Sequence, residues 1–598
     1  MLQSNLLIDS ANTNLFNYSR EEKKELNSAA AMSAFEKVSK ERKQSVKDGE
    51  TPDFYITQGY MLYQRNYAYN GETIREAFKR IAEIGRHYKP NPELAKKKFF
   101  DLMWKGFLAP STPVYLNTNN NRGDSISCSG GYISDSVSGF YTGLREGAML
   151  SKRGYGTSGY LGDIRPRGTP ISKGGTADGA LPVFKLFHEM ARHVSQANAR
   201  RGVWAGYIGV MHGDFDEIWD YCFKHPSETN VGWLFYQRDI DALNANDPEM
   251  VRRWNMVMFL RARYGKGYIV KPDTMNEFTS EAIKKSGIPI KASNLCSEIA
   301  LPQNEEYSFS CVLSSLNLSK WFEFDEDTIF WSTIFLDCVV EQTLEETEGV
   351  HEIEPLWKFT RDFRALGLGA LGWHTLLQQL SLPFDSLKAK LLNKQIFSKM
   401  YSESMKASQH LASVHGAPKF CKDFGYANAT LLAIAPNTSS ALLAGGVSQG
   451  IEPLVSNTYN QNTAGGEVAR MNPTLIKLLQ ERGKYSDELV ADLQIARQGS
   501  VAHLDFLSDH EKRVFAPAFE INQDKLVDQA SDRQPYICQA QSLNLFSSGD
   551  EHELARVSKR ALNMKNVKSL YYLRAIRSVR GSSGEAMSFE GACKNCEA

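Results

Sequence analysis

Hydrophobic positions recur along this chain with two periods. From Thr73 to Tyr88 (TIREAFKRIAEIGRHY) apolar residues fall at helical spacing. Asn91-Pro92 then sets a capping residue before a proline at the first position of a helix expected to run to Gly106. Arg20 to Lys47 is rich in Glu, Lys and Ala, so residues 1–90 read as a mostly helical, polar region. From 110 to 460 the pattern alternates. Amphipathic helices are expected from Val183 to Val194, Pro248 to Arg263 and Leu387 to His415. Between them lie short runs that read as strands: Trp204 to Val210, Val231 to Tyr236, Tyr268 to Lys271 and Leu431 to Ala435. Such alternation predicts an α/β fold on a parallel sheet, open or closed into a barrel, with ligands held where Gly-rich loops follow the strands. Ser578 to Ala598 (SVRGSSGEAMSFEGACKNCEA) has little periodicity and reads as a flexible tail.

Composition narrows the class. With 598 residues, 42% hydrophobic and 23% charged, the chain is globular and able to bury a sizeable core. Its 69 basic and 69 acidic residues cancel, so no global field draws it to nucleic acid or to an anionic membrane. Any phosphate must be held by a local site. No apolar run approaches the roughly 20 residues that span a bilayer, and Met1 to Asn17 lacks the features of a secretory signal. The cytoplasm is the expected compartment. Nine cysteines are few for this length and do not form a secreted disulfide framework.

Several of those cysteines sit where chemistry is possible. Cys593-Lys594-Asn595-Cys596 is a CxxC pair near the C-terminus, a spacing that closes a small disulfide and suits thiol exchange. A zinc site would need four ligands, and no second CxxC or nearby His pair supplies them, so the ligand count favours exchange. In Ser293-Asn294-Leu295-Cys296-Ser297-Glu298, an extended segment would point Asn294, Cys296 and Glu298 the same way. A thiol, an amide and a carboxylate would then share one volume, with the carboxylate able to act as a general base. The alternative is ordinary burial, the default for a lone cysteine. Cys128 and Cys311 lie in Ser-rich, otherwise apolar segments and also fit simple packing. Cys222, Cys338, Cys421 and Cys538 are assigned to packing. Pro436-Asn437-Thr438-Ser439-Ser440 follows a predicted strand and precedes a predicted helix. It suits either a phosphate cradle or plain N-capping. Tyr571-Tyr572 fits packing or stepwise electron and proton transfer.

Taken in order from Thr112 to Cys596, these segments resemble the large, catalytic subunits of class I ribonucleotide reductases. NLCSE, LYYLR and the terminal CxxC carry the resemblance. RALGLGALGWHTLLQ (Arg364 to Gln378), GIEP (Gly450 to Pro453) and QSLNLF (Gln541 to Phe546) add to it. The resemblance implies a ten-stranded α/β barrel over residues 91–577 with a central finger loop, an N-terminal helical region and the redox tail at 578–598. It implies that Cys296 becomes a thiyl radical and takes the ribose 3′ hydrogen, with Glu298 as base and Asn294 bonding substrate. Cys128 and Cys311 would supply the reducing equivalents and finish as a disulfide. Cys593 and Cys596 would reduce that disulfide and be re-reduced by thioredoxin or glutaredoxin. Thr112, Ser127 and Asn437 to Ser440 would hold the substrate, a diphosphate by expectation. Tyr571 and Tyr572 would relay a radical from a small (beta) subunit, metal-containing or otherwise radical-bearing, since this sequence has no metal-ligand constellation of its own. Asp135, Arg165 and Arg201 would bind or read a nucleoside triphosphate effector in a homodimer.

The sequence also departs from the family pattern. Only residues 1–90 precede the barrel, too few for an ATP-binding cone plus the usual helical segment, so no dATP activity switch is expected. A compact form, in the host cytoplasm if viral, fits. The rivals are an adenosylcobalamin-dependent class II reductase, which has no use for the tyrosine pair, a class III glycyl-radical enzyme, whose loop Gly581 matches poorly, and a non-catalytic nucleotide-binding paralogue.

Overall fold

The structure is a computed structural model that describes residues 35–196, 200–463, 466–493, 499–547 and 551–575. Five strands run parallel: β1 (Cys128–Tyr132), β2 (Gly156–Tyr160), β3 (Trp204–Gly209), β4 (Val231–Leu234) and β5 (Tyr268–Val270). A second parallel set starts with β6 (Phe309–Asn317) and β7 (Leu366–Leu371). It continues through bridges at Leu368–Leu432 and Ile434–Gln541, then through β8 (Leu545–Ser547) paired with β10 (Leu573–Ala575). The two sets meet antiparallel at both seams. β1 pairs with β6, and β5 pairs with β9 (Ser569–Leu570), which leads into β10. Counting 430–434, 541–547 and 569–575 as one position each, ten strand positions close into a ring among the described residues, the barrel expected from the resemblance.

The long helices form as their patterns predict. The helix Leu387–His415 has the predicted bounds, with Ser386 capping Ala389 N and Gly416 (φ 84°) stopping it. Thr73 and Glu76 form a capping box on Ile74–Ala82, and Asn91 caps Pro92–Trp104. Two expectations need correction. The 1–90 region is not merely polar where it is described: Tyr55, Leu62, Tyr67, Phe78 and Ile81 join the main hydrophobic core. The run Leu431 to Ala435 is not a regular strand. It bonds alternately to neighbours on either side, through Leu431 O to Leu368 N and through Ile434 N to Ala540 O.

Seven of the ten labelled strands lie outside the runs read as strands from the sequence: β1, β2 and β6 to β10. Three of them are glycine-rich (CSGGY, GTSGY, LGLGAL), which reads as loop. Here the glycines make room. A Cβ on Gly156 would lie 2.5 Å from Leu295 Cδ1, and one on Gly367 would lie 3.0 Å from Cys311 Sγ. Both neighbours belong to what fills the barrel. The helix Thr328–Thr347 is apolar on nearly every face and buried behind β6. Even so, no helix among the described residues is long and apolar enough to cross a membrane.

Candidate active site

Residues 292–303 are buried without a break and run through the ring between β5 and β6. Opposite walls of the barrel hold this loop. From β2, Ser158 Oγ donates to Ser293 O (2.8 Å), and from β3 Tyr207 OH donates to Asn294 O. From the far side Ser542 Oγ donates to Cys296 O (2.6 Å), Ser569 Oγ to Ser297 O (2.8 Å) and Ala540 N to Glu298 O (2.8 Å). The segment is not extended, as the sequence reading supposed. Residues 295–297 form a turn, with Ser297 left-handed at φ 64°. The expected convergence arises from the turn instead of from strand alternation.

Asn294 is the hub. Its Nδ2 donates to Glu298 Oε1 (2.9 Å) and lies 3.3 Å from Cys128 Sγ, while its Oδ1 accepts from Ile299 N (3.2 Å). Cys128 on β1 stands opposite Cys311 on β6 in the antiparallel register. Directly opposed residues in such a pair have Cα atoms about 4.5–5.5 Å apart, inside the range a disulfide needs. No disulfide joins the two in this structure. Across the loop, Tyr571 OH is 3.5 Å from Cys296 Sγ. Tyr572 follows, with the two rings 4.0 Å apart.

Burial sets the electrostatics. It pushes the Glu298 carboxyl up to about 7, against the pull of hydrogen bonds from its own backbone, Asn294 and Ser542. It pushes the Cys311 thiol up to about 12, with the Gln539 amide pulling it back down. Glu298 is therefore poised to gain or lose a proton near neutrality, and Cys311 rests as a thiol.

The backbone of the tyrosine pair is fixed by two segments that carry the family resemblance. Glu452 of GIEP accepts from Asn544 N (2.8 Å) and Nδ2 (2.9 Å) in QSLNLF, and Asn544 Oδ1 accepts from Tyr572 N (3.0 Å). Arg261 Nη1 donates to Tyr571 O (2.9 Å). His374, in the third such segment, is held neutral by burial, its pKa lowered to about 4, and its Nδ1 accepts from Leu454 N.

At one end of the barrel the candidate substrate residues assemble. Asn437 is left-handed (φ 56°) and leads into the short helix Thr438–Leu443. Its side chain is tied to the ends of β6 and β7: Nδ2 donates to Ala370 O (3.2 Å), and Oδ1 accepts from Ser315 Oγ (3.0 Å). Ser440 Oγ donates to Pro110 O (3.2 Å), joining the loop to Thr112, whose Oγ1 is 3.0 Å from Tyr67 OH. Ser439 is buried, and Ser127 Oγ donates to Ser111 Oγ (3.3 Å). Ser315 lies four residues beyond Cys311, about 13 Å along the strand. The candidate effector residues lie apart. Asp135 after β1 and Arg165 after β2 form a half-buried ion pair (2.5 Å). The backbone of Arg201 pairs with Ser195 in a two-stranded ribbon between β2 and β3, and its side chain lies outside what is described. Cys593 and Cys596 lie outside the described residues. Among the described residues no cluster of His, Cys, Asp and Glu could hold a metal ion.

Four site residues escaped the sequence reading. Gln539 Nε2 donates to Cys311 Sγ (3.1 Å), and its Oε1 accepts from Ala300 N (3.2 Å), linking a thiol to the loop. Ser542 contacts Glu298 Oε2 (3.0 Å). Tyr207 and Tyr268 face the loop and the tyrosine pair. Only the QSLNLF resemblance pointed near any of them.

A closed α/β barrel whose centre brings three thiols to one carboxylate defines an enzyme with a thiol-lined active site. The ribonucleotide reductase barrel domain model matches residues 126–231, 236–424 and 418–573. A Frog virus 3 (isolate Goorha) protein described as a ribonucleoside-diphosphate reductase large subunit is 32% identical over 511 residues, 81% of this chain and 88% of that one. The ribonucleoside-diphosphate reductase large subunit of Invertebrate iridescent virus 3 is 28% identical over 582 residues, covering 83% and 90%. The Actinobacillus ureae class Id ribonucleotide reductase alpha subunit superposes with a TM-score of 0.82 at 35% identity, covering 88% of this chain and 98% of that one. The chain belongs to the ribonucleotide reductase family, as one of its large, barrel-bearing enzyme subunits.

Proposed function

We propose that the chain reduces ribonucleoside diphosphates to 2′-deoxyribonucleoside diphosphates by thiyl-radical chemistry. The reading is supported most by one observation: Tyr571 OH, Cys296 Sγ, Glu298 and Cys128 are joined through Asn294 and the turn at Ser297. A radical on Cys296 takes the 3′ hydrogen of the ribose, forming S–H and leaving a carbon radical. Glu298 accepts the 3′ hydroxyl proton while the 2′ hydroxyl leaves as water, its proton coming from the Cys128–Cys311 pair. That pair also gives a hydrogen atom to C2′ and one further electron to the sugar as it closes to a disulfide, while Glu298 returns its proton to the 3′ oxygen. Cys296 then returns its hydrogen to C3′ and is a radical again. Cys593 and Cys596 reduce the disulfide by exchange and are re-reduced by thioredoxin or glutaredoxin. Thr112, Ser127 and Asn437 to Ser440 hold the diphosphate. The two relatives named above are both described as ribonucleoside-diphosphate reductases.

A separate small subunit supplies the radical through Tyr572 and Tyr571. A nucleoside triphosphate binds as effector at Asp135 and Arg165 of a homodimer, with Arg201 relaying its identity. The test is a four-substrate assay with a candidate small subunit, a dithiol reductant and varied effectors. Turnover requires the small subunit, and Cys296→Ser abolishes it while nucleotide binding persists. Turnover in the variant would remove Cys296 as the radical site. Turnover with adenosylcobalamin and no second protein would replace the class assignment.

A further inference from the structure

Tyr268 opens β5 inside the barrel and is 1% exposed. β9 pairs antiparallel with β5, Leu570 opposite Ile269, and the same register carried one step further sets Tyr571 opposite Tyr268. The Tyr268 ring stacks on Tyr571 (centroids 5.3 Å, planes 30° apart) and meets Tyr572 edge-on (5.6 Å, 63°). With Tyr571 and Tyr572 at 4.0 Å, each of the three rings touches the other two. The Tyr268 hydroxyl faces the Tyr572 hydroxyl at 3.4 Å. A neighbouring ring, Tyr207, lies 6.4 Å from Tyr268, but its hydroxyl is committed to Asn294 O.

Oxidising a phenol requires its proton to leave with the electron, so the partner of the hydroxyl decides whether a buried tyrosine can take part. Packing alone would be satisfied by phenylalanine. Here one phenol oxygen faces another, an arrangement in which the donor and acceptor of a hydrogen atom are the same chemical group, so the O–H bond broken and the O–H bond formed are of the same kind. We propose that Tyr268 is a third redox-active tyrosine that exchanges a hydrogen atom with Tyr572. The inference rests on the relay reading of Tyr571 and Tyr572 given above. In the step, one electron and one proton pass from the Tyr268 O–H to the Tyr572 oxyl. One O–H bond breaks and one forms, and the reverse step restores both. The oxidant is the protein radical that the small subunit delivers to Tyr572, so nothing is consumed. The exchange keeps the radical on buried rings until substrate is in place.

The test places 3-aminotyrosine, which is more easily oxidised than tyrosine, at position 268 or 571 of the full chain. Each protein is mixed with small subunit, substrate and effector and followed by electron paramagnetic resonance. The expected result is an aminotyrosyl signal from position 268 comparable with that from 571. A signal at 571 with none at 268 overturns the proposal and leaves the relay standing. Absence at both overturns the relay and the proposal with it. In parallel, Tyr268→Phe keeps the ring and loses the hydroxyl. Its turnover is expected to fall about tenfold, roughly 1.4 kcal/mol on the barrier, with nucleotide affinity unchanged. Wild-type turnover in that variant also overturns the proposal.

Discussion

The finger loop and the barrel rim hold charged and polar groups in opposite ways. Inside the ring, Glu298 is fully buried, no basic side chain is among the causes of its shift, and its partners are an amide, a hydroxyl and backbone. At the rim, Asp135 has a direct cation in Arg165, with side-chain exposures of 25% and 40%. A lone carboxylate in a dry interior keeps its proton until about neutrality, so it can change state during a reaction. A paired carboxylate near water keeps its charge and can trade one partner for another at small cost. On the proposed function, the interior suits chemistry and the rim suits exchangeable binding.

This contrast can be tested from the inside outward. Glu298→Gln keeps the hydrogen-bond geometry but cannot accept a proton. Turnover is expected to fall by about 10²–10⁴-fold, with nucleotide binding retained. The same residue carries a pH signature. Its folded pKa of about 7 lies above the ordinary 4.5, so its contribution to stability is fully present below about 4.5 and is lost as pH rises through 7. Relative to wild type, Glu298→Gln should therefore gain stability between pH 5 and 8 in thermal unfolding, while wild-type turnover climbs over that interval. A constant stability difference across it would contradict the buried, unpaired carboxyl.

Gln539→Leu comes next. It strands Ala300 N and removes the amide from Cys311 Sγ, Leu366 O and Thr430 Oγ1. The expected loss is at least about 1–3 kcal/mol of stability, read by denaturant unfolding, with slower alkylation of Cys311 as its thiol pKa rises. Unchanged stability would mean that water can replace the amide, which a dry site does not allow. The smallest effect is expected at the rim. Arg165→Ala should cost under about 1 kcal/mol of stability yet weaken effector binding and blur substrate choice. If stability fell as far as in Gln539→Leu, the rim pair would be part of the frame and the contrast would fail.

Much of the frame was legible in the sequence because its periods and caps are local. Ser386 and Gly416 bound the longest helix, Asn91-Pro92 opens another, and the apolar runs at Trp204, Val231 and Tyr268 are strands of the barrel. The glycine-rich strands were not legible. Gly130, Gly156 and Gly367 owe their place to neighbours far away in sequence, Phe309, Leu295 and Leu313, against which any Cβ would collide. Cys296 shows both sides of this. Its motif marked it through the resemblance, yet the extended geometry that would have justified it locally is absent. A left-handed Ser297, its carbonyl held by Ser569 and that of Cys296 by Ser542 from another wall, turns the thiol toward Tyr571 instead.

By itself the sequence determined which residues are candidates for the chemistry and where the surrounding helices lie, since residue type and short-range periodicity are written along the chain. Only the tertiary structure decided that the ring closes, that Cys128 stands opposite Cys311, that Gln539 and Tyr268 belong to the site, and that Glu298 titrates near neutrality. Each of these depends on contacts between residues far apart in the chain and on the exclusion of water that those contacts produce, and neither is encoded in any local stretch of sequence.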